Sequence, residues 1–219
     1  YWCPARFALR RQLTRALGPW ETRVFSIFRK NKVVPLPSGP VVQPKSSGAS
    51  IPSEVAALIS RRDELNSSDL MINVLDLAAS AKATSDMQSM SVGRHLGLVV
   101  LDDANDSNPY CYITGGVAAG MVVHFNHDPE PRIEFESLDA YESFLRGLHA
   151  RNEALGEVEV AAPPHANQVA LAAVLSELAR TTGHEDAEFL LCLYLPLLRG
   201  EHLQLLERLR VHEDFFVRE

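Results

Sequence analysis

The 219-residue chain has little of what usually announces a chemistry. It holds three cysteines, Cys3, Cys111 and Cys192. They are odd in number, far apart and in no metal-binding spacing, so neither a disulfide framework nor a cysteine-bound metal is expected. Such usage reads most simply as a reducing, cytoplasmic setting. No run approaches the roughly 20 consecutive apolar residues of a membrane helix, so no membrane partner is expected. There is no glycine-rich phosphate loop, no H-E-x-x-H and no G-x-S-x-G. No cofactor is expected, and no internal repeat is visible.

Basic side chains are scarce beyond the first segment. Nine of the 21 lie in residues 1–50 (Arg6, Arg10, Arg11, Arg15, Arg23, Arg29, Lys30, Lys32, Lys45), beside one of the 28 acidic ones, Glu21. That leaves 12 basic and 27 acidic side chains in the remainder, a net charge near −15 against an arm near +8. A body of that sign repels nucleic acid. It attracts a basic protein at long range.

The chain divides by composition into three parts. Residues 1–50 read as a basic arm running into a Pro/Ser/Gly-rich linker, expected to be poorly ordered. A targeting peptide or surface helix carried by Leu9, Leu13 and Leu17 is the lesser reading. Residues 51–150 read as an α+β domain, and 151–219 as a helical segment. In the domain, Ser53 is expected to cap a helix bearing Val55, Leu58, Ile59 and Leu65. Asn66–Asp69 is expected to break it and to cap a second helix through Leu70, Met71, Val74, Leu75 and Ala78. Lys82–Met90 reads as a polar connection.

From Val92 to Glu136 the text reads as short strands between turn-rich loops. Met121, Val123 and Phe125 alternate with Val122, His124 and Asn126, and Ile133 and Phe135 with Arg132, Glu134 and Glu136. Period-two alternation marks half-buried strands. Ser137 then caps an amphipathic helix with Leu138, Tyr141, Phe144, Leu145 and Leu148 along one stripe. Beyond Arg151–Pro164, Val169, Ala172, Leu175, Leu178 and Ala179 line a helix that Gly183 should stop. Glu185–Leu195 is a helix whose second half, apolar nearly all round, should be buried, and Pro196 should end or kink it. Glu201–Arg210 is a third, packing on the sheet or bundling with its neighbours.

Three constellations invite a chemical reading. From Asp103 the oxygen-bearing residues Asn105 and Ser107 begin like a calcium loop. Asn108 and Thr114 then stand where such a loop needs its glycine and its bidentate glutamate, so a plain polar loop is preferred. His124, His127 and Asp128 suggest zinc, yet strand positions three apart face opposite ways and no third ligand follows, so no metal is expected. Cys111 with His124 or His127 would be a nucleophile and base of a small hydrolase. Cys111 is instead in phase with Ile113, as a core residue would be, and no catalytic residue is assigned.

The polar loop Asp102–Asn108 before Tyr110-Cys-Tyr-Ile113, the stretch Gly120-Met-Val-Val-His-Phe-Asn-His-Asp128 and the closing Ser137-Leu-Asp-Ala-Tyr-Glu-Ser-Phe-Leu145 together resemble the SMI1/KNR4 (SUKH) superfamily. The resemblance covers residues 92–148 and, more loosely, 51–91. It departs upstream, where no helix is followed by a Gly-Gly or Asn-Gly turn. It implies a small, mostly antiparallel sheet packed with helices, and a bacterial immunity protein that neutralises a cognate toxin by stoichiometric occlusion. A regulatory scaffold of the same fold is the alternative. The partner is expected to be a basic, nuclease-type toxin. The expected contact surface is Asp102, Asp103, Asn105, Asp106, Asn108, Tyr110, His124, His127, Asp128 and Glu130, with aromatic anchors among carboxylates.

Overall fold

The computed structural model describes residues 50–103, 108–125, 131–155, 158–181 and 185–202, with Leu205 and Glu207. The basic arm lies outside these residues, as do Gly183 and most of the helix expected over Glu201–Arg210.

The helix expected after residue 51 forms as two pieces, α1 (Ser53–Ile59) and α2 (Arg62–Leu65). Val55, Leu58, Ile59 and Leu65 are all buried. Pro52, not Ser53, holds the N-cap position.

The next expected helix does not form at Leu70. Asn66 clasps Val74 instead, its Oδ1 accepting from the Val74 N–H (2.7 Å) and its Nδ2 donating to the Val74 carbonyl (3.0 Å). Ser67 and Ile72 exchange backbone bonds of 3.0 and 2.9 Å. Leu70, Ile72 and Val74 are buried while Met71 and Asn73 are exposed, a period of two rather than 3.6.

Helix α3 (Leu77–Met87) starts where Asp76 accepts from the Ala79 N–H at 2.8 Å. It runs through most of the supposed polar connection. The reason is that its polar face is turned inward. Ser80 Oγ donates to the Val100 carbonyl (2.6 Å), the Val100 N–H donates to Thr84 Oγ1 (3.0 Å), and Gln88 Nε2, just past the helix, donates to the Leu98 carbonyl (2.9 Å). Ser80 and Thr84 are fully buried. The text from Val92 also begins as helix, α4 (Ser91–Leu96), closed by Gly97 at φ 58°. A Cβ at Gly97 would also displace Thr114 Oγ1, which donates to the Gly97 carbonyl, so a side chain there would disturb that bond as well as strain the backbone.

The chain is an α+β fold with a four-stranded antiparallel sheet of β1 (Leu98–Val100), β2 (Tyr110–Ile113), β3 (Val122–His124) and β4 (Arg132–Phe135), paired in chain order. Helix α5 (Leu138–Arg151) follows, with Ser137 Oγ accepting from the Ala140 N–H at 3.1 Å as expected of its cap. Then come α6 (Gln168–Leu178) and α7 (Glu185–Tyr194), which passes into a 3-10 turn, Leu195–Leu197, at Pro196.

Both faces of the sheet are covered, so its strands are not half-buried. Val99, Leu101, Tyr110, Val122 and Phe135 pack with α1, α2 and α5. Leu98, Val100, Cys111, Ile113, Val123 and Ile133 pack with Leu171, Leu175, Leu190, Leu191 and Tyr194 of α6 and α7. Helices α6 and α7 therefore pack on the sheet rather than bundling apart. Val169, expected on the buried stripe of α6, is 75% exposed, and Leu171 takes the core position instead.

A bulge explains why Ile133 and Phe135 lie in different cores. Val122 opposes Phe135 and the adjacent Val123 opposes Ile133, leaving Glu134 as the extra residue. Glu134 and Phe135 then both reach Tyr110, on the α5 side.

Replacing Thr84 by Val keeps the shape and leaves the buried Val100 N–H without its acceptor. Urea unfolding should show a loss of about 1–3 kcal/mol, against less than about 0.5 kcal/mol for Ala at the exposed Ser85. On α5, Leu145 is fully buried and Phe144 only half-buried against Phe135. Leu145→Ala should cost about 2–5 kcal/mol, and Phe144→Ala less, despite the larger side chain removed. The same unfolding experiment ranks the two.

Candidate functional site

At one end of the sheet, where β1 leaves and β2 enters, the fold gathers a polar cluster under α5. Its centre is Asp102, 2% exposed. Backbone pairing places it there, since Asp102 bridges Val74 and the neighbouring Leu101 N–H donates to the Tyr110 carbonyl at 2.9 Å. Asp102 Oδ1 accepts from the Tyr110 N–H at 2.6 Å, and Oδ2 from the Tyr141 hydroxyl of α5 at 3.3 Å. One carboxyl thus ties the start of β2 to the covering helix.

A second layer adjoins the first. The Tyr110 hydroxyl donates to Glu134 Oε2 (2.9 Å), and His124 Nδ1 stands 3.3 Å from Glu134 Oε1. The rings of Tyr110 and His124 stack at 4.2 Å and 14°, following directly from their register pairing. Tyr110 also meets Tyr141 at 5.1 Å and Phe135 at 5.9 Å. Glu134 is available to both partners because the bulge puts it on this face.

Burial dominates the electrostatics. It pushes the Asp102 carboxyl up to about 7, against the Tyr110 N–H, the nearby His124 and the Tyr141 hydroxyl, which favour the charged form. Burial likewise raises Tyr110, helped by the Glu134 charge, and raises Tyr141, helped by Asp102. Cys111 is fully buried and its thiol is driven well up. It pairs with Val123 and packs toward α6 and α7, whereas His124 pairs with Tyr110 on the α5 side. Strand geometry therefore separates Cys111 from His124, while the other base considered, His127, lies outside the described residues. Among the described residues, no group of three or more His, Cys, Asp and Glu side chains is arranged to hold a metal ion.

The ten residues expected at a contact surface fall into three sets. Asp102 and Tyr110 are buried, which corrects their reading as surface contacts: one is needed by the β2 backbone and α5, the other is enclosed by three aromatic rings. Asp103 is exposed, while Asn108 and His124 are half-buried. Asn105, Asp106, His127, Asp128 and Glu130 lie outside the described residues. Glu134 and Tyr141 were not foreseen as part of this cluster. Tyr141 had a signal, since a tyrosine on a core stripe needs a partner for its hydroxyl. Glu134 had none, because only the bulge brings it inward.

No protein-family model, no curated protein and no solved structure matches this chain. Among the described residues, no helix is long and apolar enough to cross a membrane.

The buried carboxyl makes a pH prediction. Its folded pKa, about 7, lies above the ordinary 3.8. The protonated form is therefore favoured by folding. Its contribution is full below about pH 4, is lost as pH rises toward 7, and is gone above that. At 1.36 kcal/mol per unit the loss is on the order of 4 kcal/mol. Asp102→Asn lacks this titration, so its stability relative to the native protein should climb by that order between pH 4 and pH 8. Parallel urea-unfolding curves across that range would mean that the network keeps Asp102 an ordinary acid.

Proposed function

We propose that this chain is a protein-binding module of the immunity type, which neutralises a basic toxin by covering it stoichiometrically. The observation that carries the reading is charge. Residues 51–219 hold 27 acidic side chains against 12 basic ones. Several acidic side chains stay exposed and outside any ion pair among the described residues, Asp86, Asp103, Glu136 and Asp139 among them. Acidic inhibitors associate quickly with basic partners because the field steers the encounter. The resemblance of residues 92–148 to SMI1/KNR4 proteins supports the same reading.

The contact face is the loop end beside the Asp102 cluster. Of the expected contacts, Asp103 is exposed and Asn108 half-buried there, while Asn105, Asp106, His127, Asp128 and Glu130 belong to the two segments outside the described residues. Asp102 and Tyr110 lie beneath as supports, and His124 between. Rigid support under an interface lowers the ordering cost of binding.

The test is stopped-flow association with the product of the neighbouring gene across a salt series. Exposed charges are screened beyond about 8 Å at physiological salt. Asp103→Asn with Asp106→Asn should therefore slow association at low salt, matter much less at high salt and leave dissociation nearly unchanged. A rate indifferent to salt and to both substitutions removes this face from the encounter, and absence of binding removes the immunity reading.

A further inference from the structure

Next to this face stands a residue that the fold itself does not explain. Met71 has φ 58°, in the left-handed region, yet it is neither Gly nor Asn. Among the described residues its side chain is one of three large apolar ones in the open, at 60% exposure. Left-handed backbone strains any residue with a Cβ, and an exposed thioether gains little in return. A strained position filled by an exposed apolar side chain points to a use outside the fold.

The position is also held firmly. Met71 ends the turn Ser68–Met71, whose flanks Ser67 and Ile72 exchange two backbone bonds. The Met71 N–H donates to the Ser68 carbonyl (3.3 Å), and the Leu70 N–H to Ser67 Oγ (3.3 Å). Below it, Leu70 is buried and its carbonyl accepts from the Leu155 N–H at 2.8 Å. Held in this way, a methionine is presented ready for contact, and its soft, adaptable side chain suits an apolar pocket on another protein.

We infer that Met71 is the apolar anchor of a docking surface, continuous with the Asp103 loop end, that takes a basic protein segment carrying an apolar pocket or side chain. Continuity comes from the backbone: the Asp103 N–H donates to the Asn73 carbonyl (3.1 Å) and the Leu75 N–H to the Leu101 carbonyl (3.0 Å). The partner's sign comes from the acids around the anchor. Asp69 and Asp103 are exposed and make no ion pair among the described residues, whereas Arg62 is taken by Asp63 and Asp76, and Arg61 by Glu142. The anchor shares the proposed binding face but adds what charge alone lacks, a contact that governs dissociation.

The probe is a displayed library of random peptides selected on the whole chain, so the outcome does not depend on the neighbouring gene. Selected clones should be rich in Lys and Arg around an apolar residue. They should bind the native protein and Met71→Leu alike, and lose about tenfold or more in affinity on Met71→Gln and Met71→Gly through faster dissociation. Thermal unfolding should find Met71→Gln as stable as the native protein and Met71→Gly at least as stable, since glycine relieves the left-handed backbone. Clones that bind all four proteins equally, or a selection that enriches no basic clones, would overturn the inference. A neighbouring gene product that fails to bind, beside clones that depend on Met71, would overturn the immunity reading and leave the anchor standing.

Discussion

The sheet depends on how the outer edge of β1 is closed. An edge strand offers a row of unsatisfied N–H and carbonyl groups, and buried ones must find partners. Here Ser80, Thr84 and Gln88, spaced by four, serve the Val100 carbonyl, the Val100 N–H and the Leu98 carbonyl. A helix has taken the place of a fifth strand. Its inward face had to be polar, because an apolar stripe would have buried those backbone groups unpaired at about 1–3 kcal/mol each. With the edge closed by α3, the chain after Asn66 can reach β1 only at its far end, through Val74 and Asp102. The polar cluster is built at that end.

Two opposed effects meet at Asp102. Burial disfavours its charge, while one N–H, one hydroxyl and a nearby histidine favour it. Burial wins and lifts the carboxyl to about 7, so it carries a proton through much of the range in which an ordinary aspartate is ionised. An apolar replacement would orphan both the Tyr110 N–H and the Tyr141 hydroxyl. Tyr110 passes the constraint on, through its ring to His124 and through its hydroxyl to Glu134. Side chains from three strands, from the segment after β1 and from α5 are thereby fixed relative to one another beside the loop end that carries Asp103.

What the sequence disclosed follows from whether each residue's partners are local. The α5 stripe and its Ser137 cap were legible because both are matters of spacing within one helix. So was the end of α7 at Pro196. The α3 helix was not, because Lys82–Met90 looks like a connection unless one knows that a strand edge awaits Ser80 and Thr84. Leu70, Ile72 and Val74 did alternate visibly, but the helical spacing of Leu70, Val74 and Leu75 competed with that reading. The polar clasp of Asn66 decided it. In the site, Asp102 and Tyr110 were found as residues and misplaced in depth. A loop-end acid looks exposed until its bonds to β2 and α5 are seen, and Glu134 needed a bulge that no alternation pattern encodes.

The covering of the sheet also bears on where recognition can occur. One face packs with α1, α2 and α5, the other with α6 and α7, and the β1 edge is taken by α3. Among the described residues no sheet face is left open, so the proposed recognition rests on loop ends held by the layers beneath. At the Asp102 end those supports are unusually complete for a loop margin: a buried carboxyl, a stacked histidine and an aromatic cluster. The same end carries an exposed aspartate and a strained, exposed methionine whose backbones are joined through Asn73. In the binding role proposed above, charge at one point serves association and apolar reach at the other serves retention, from residues that share one base.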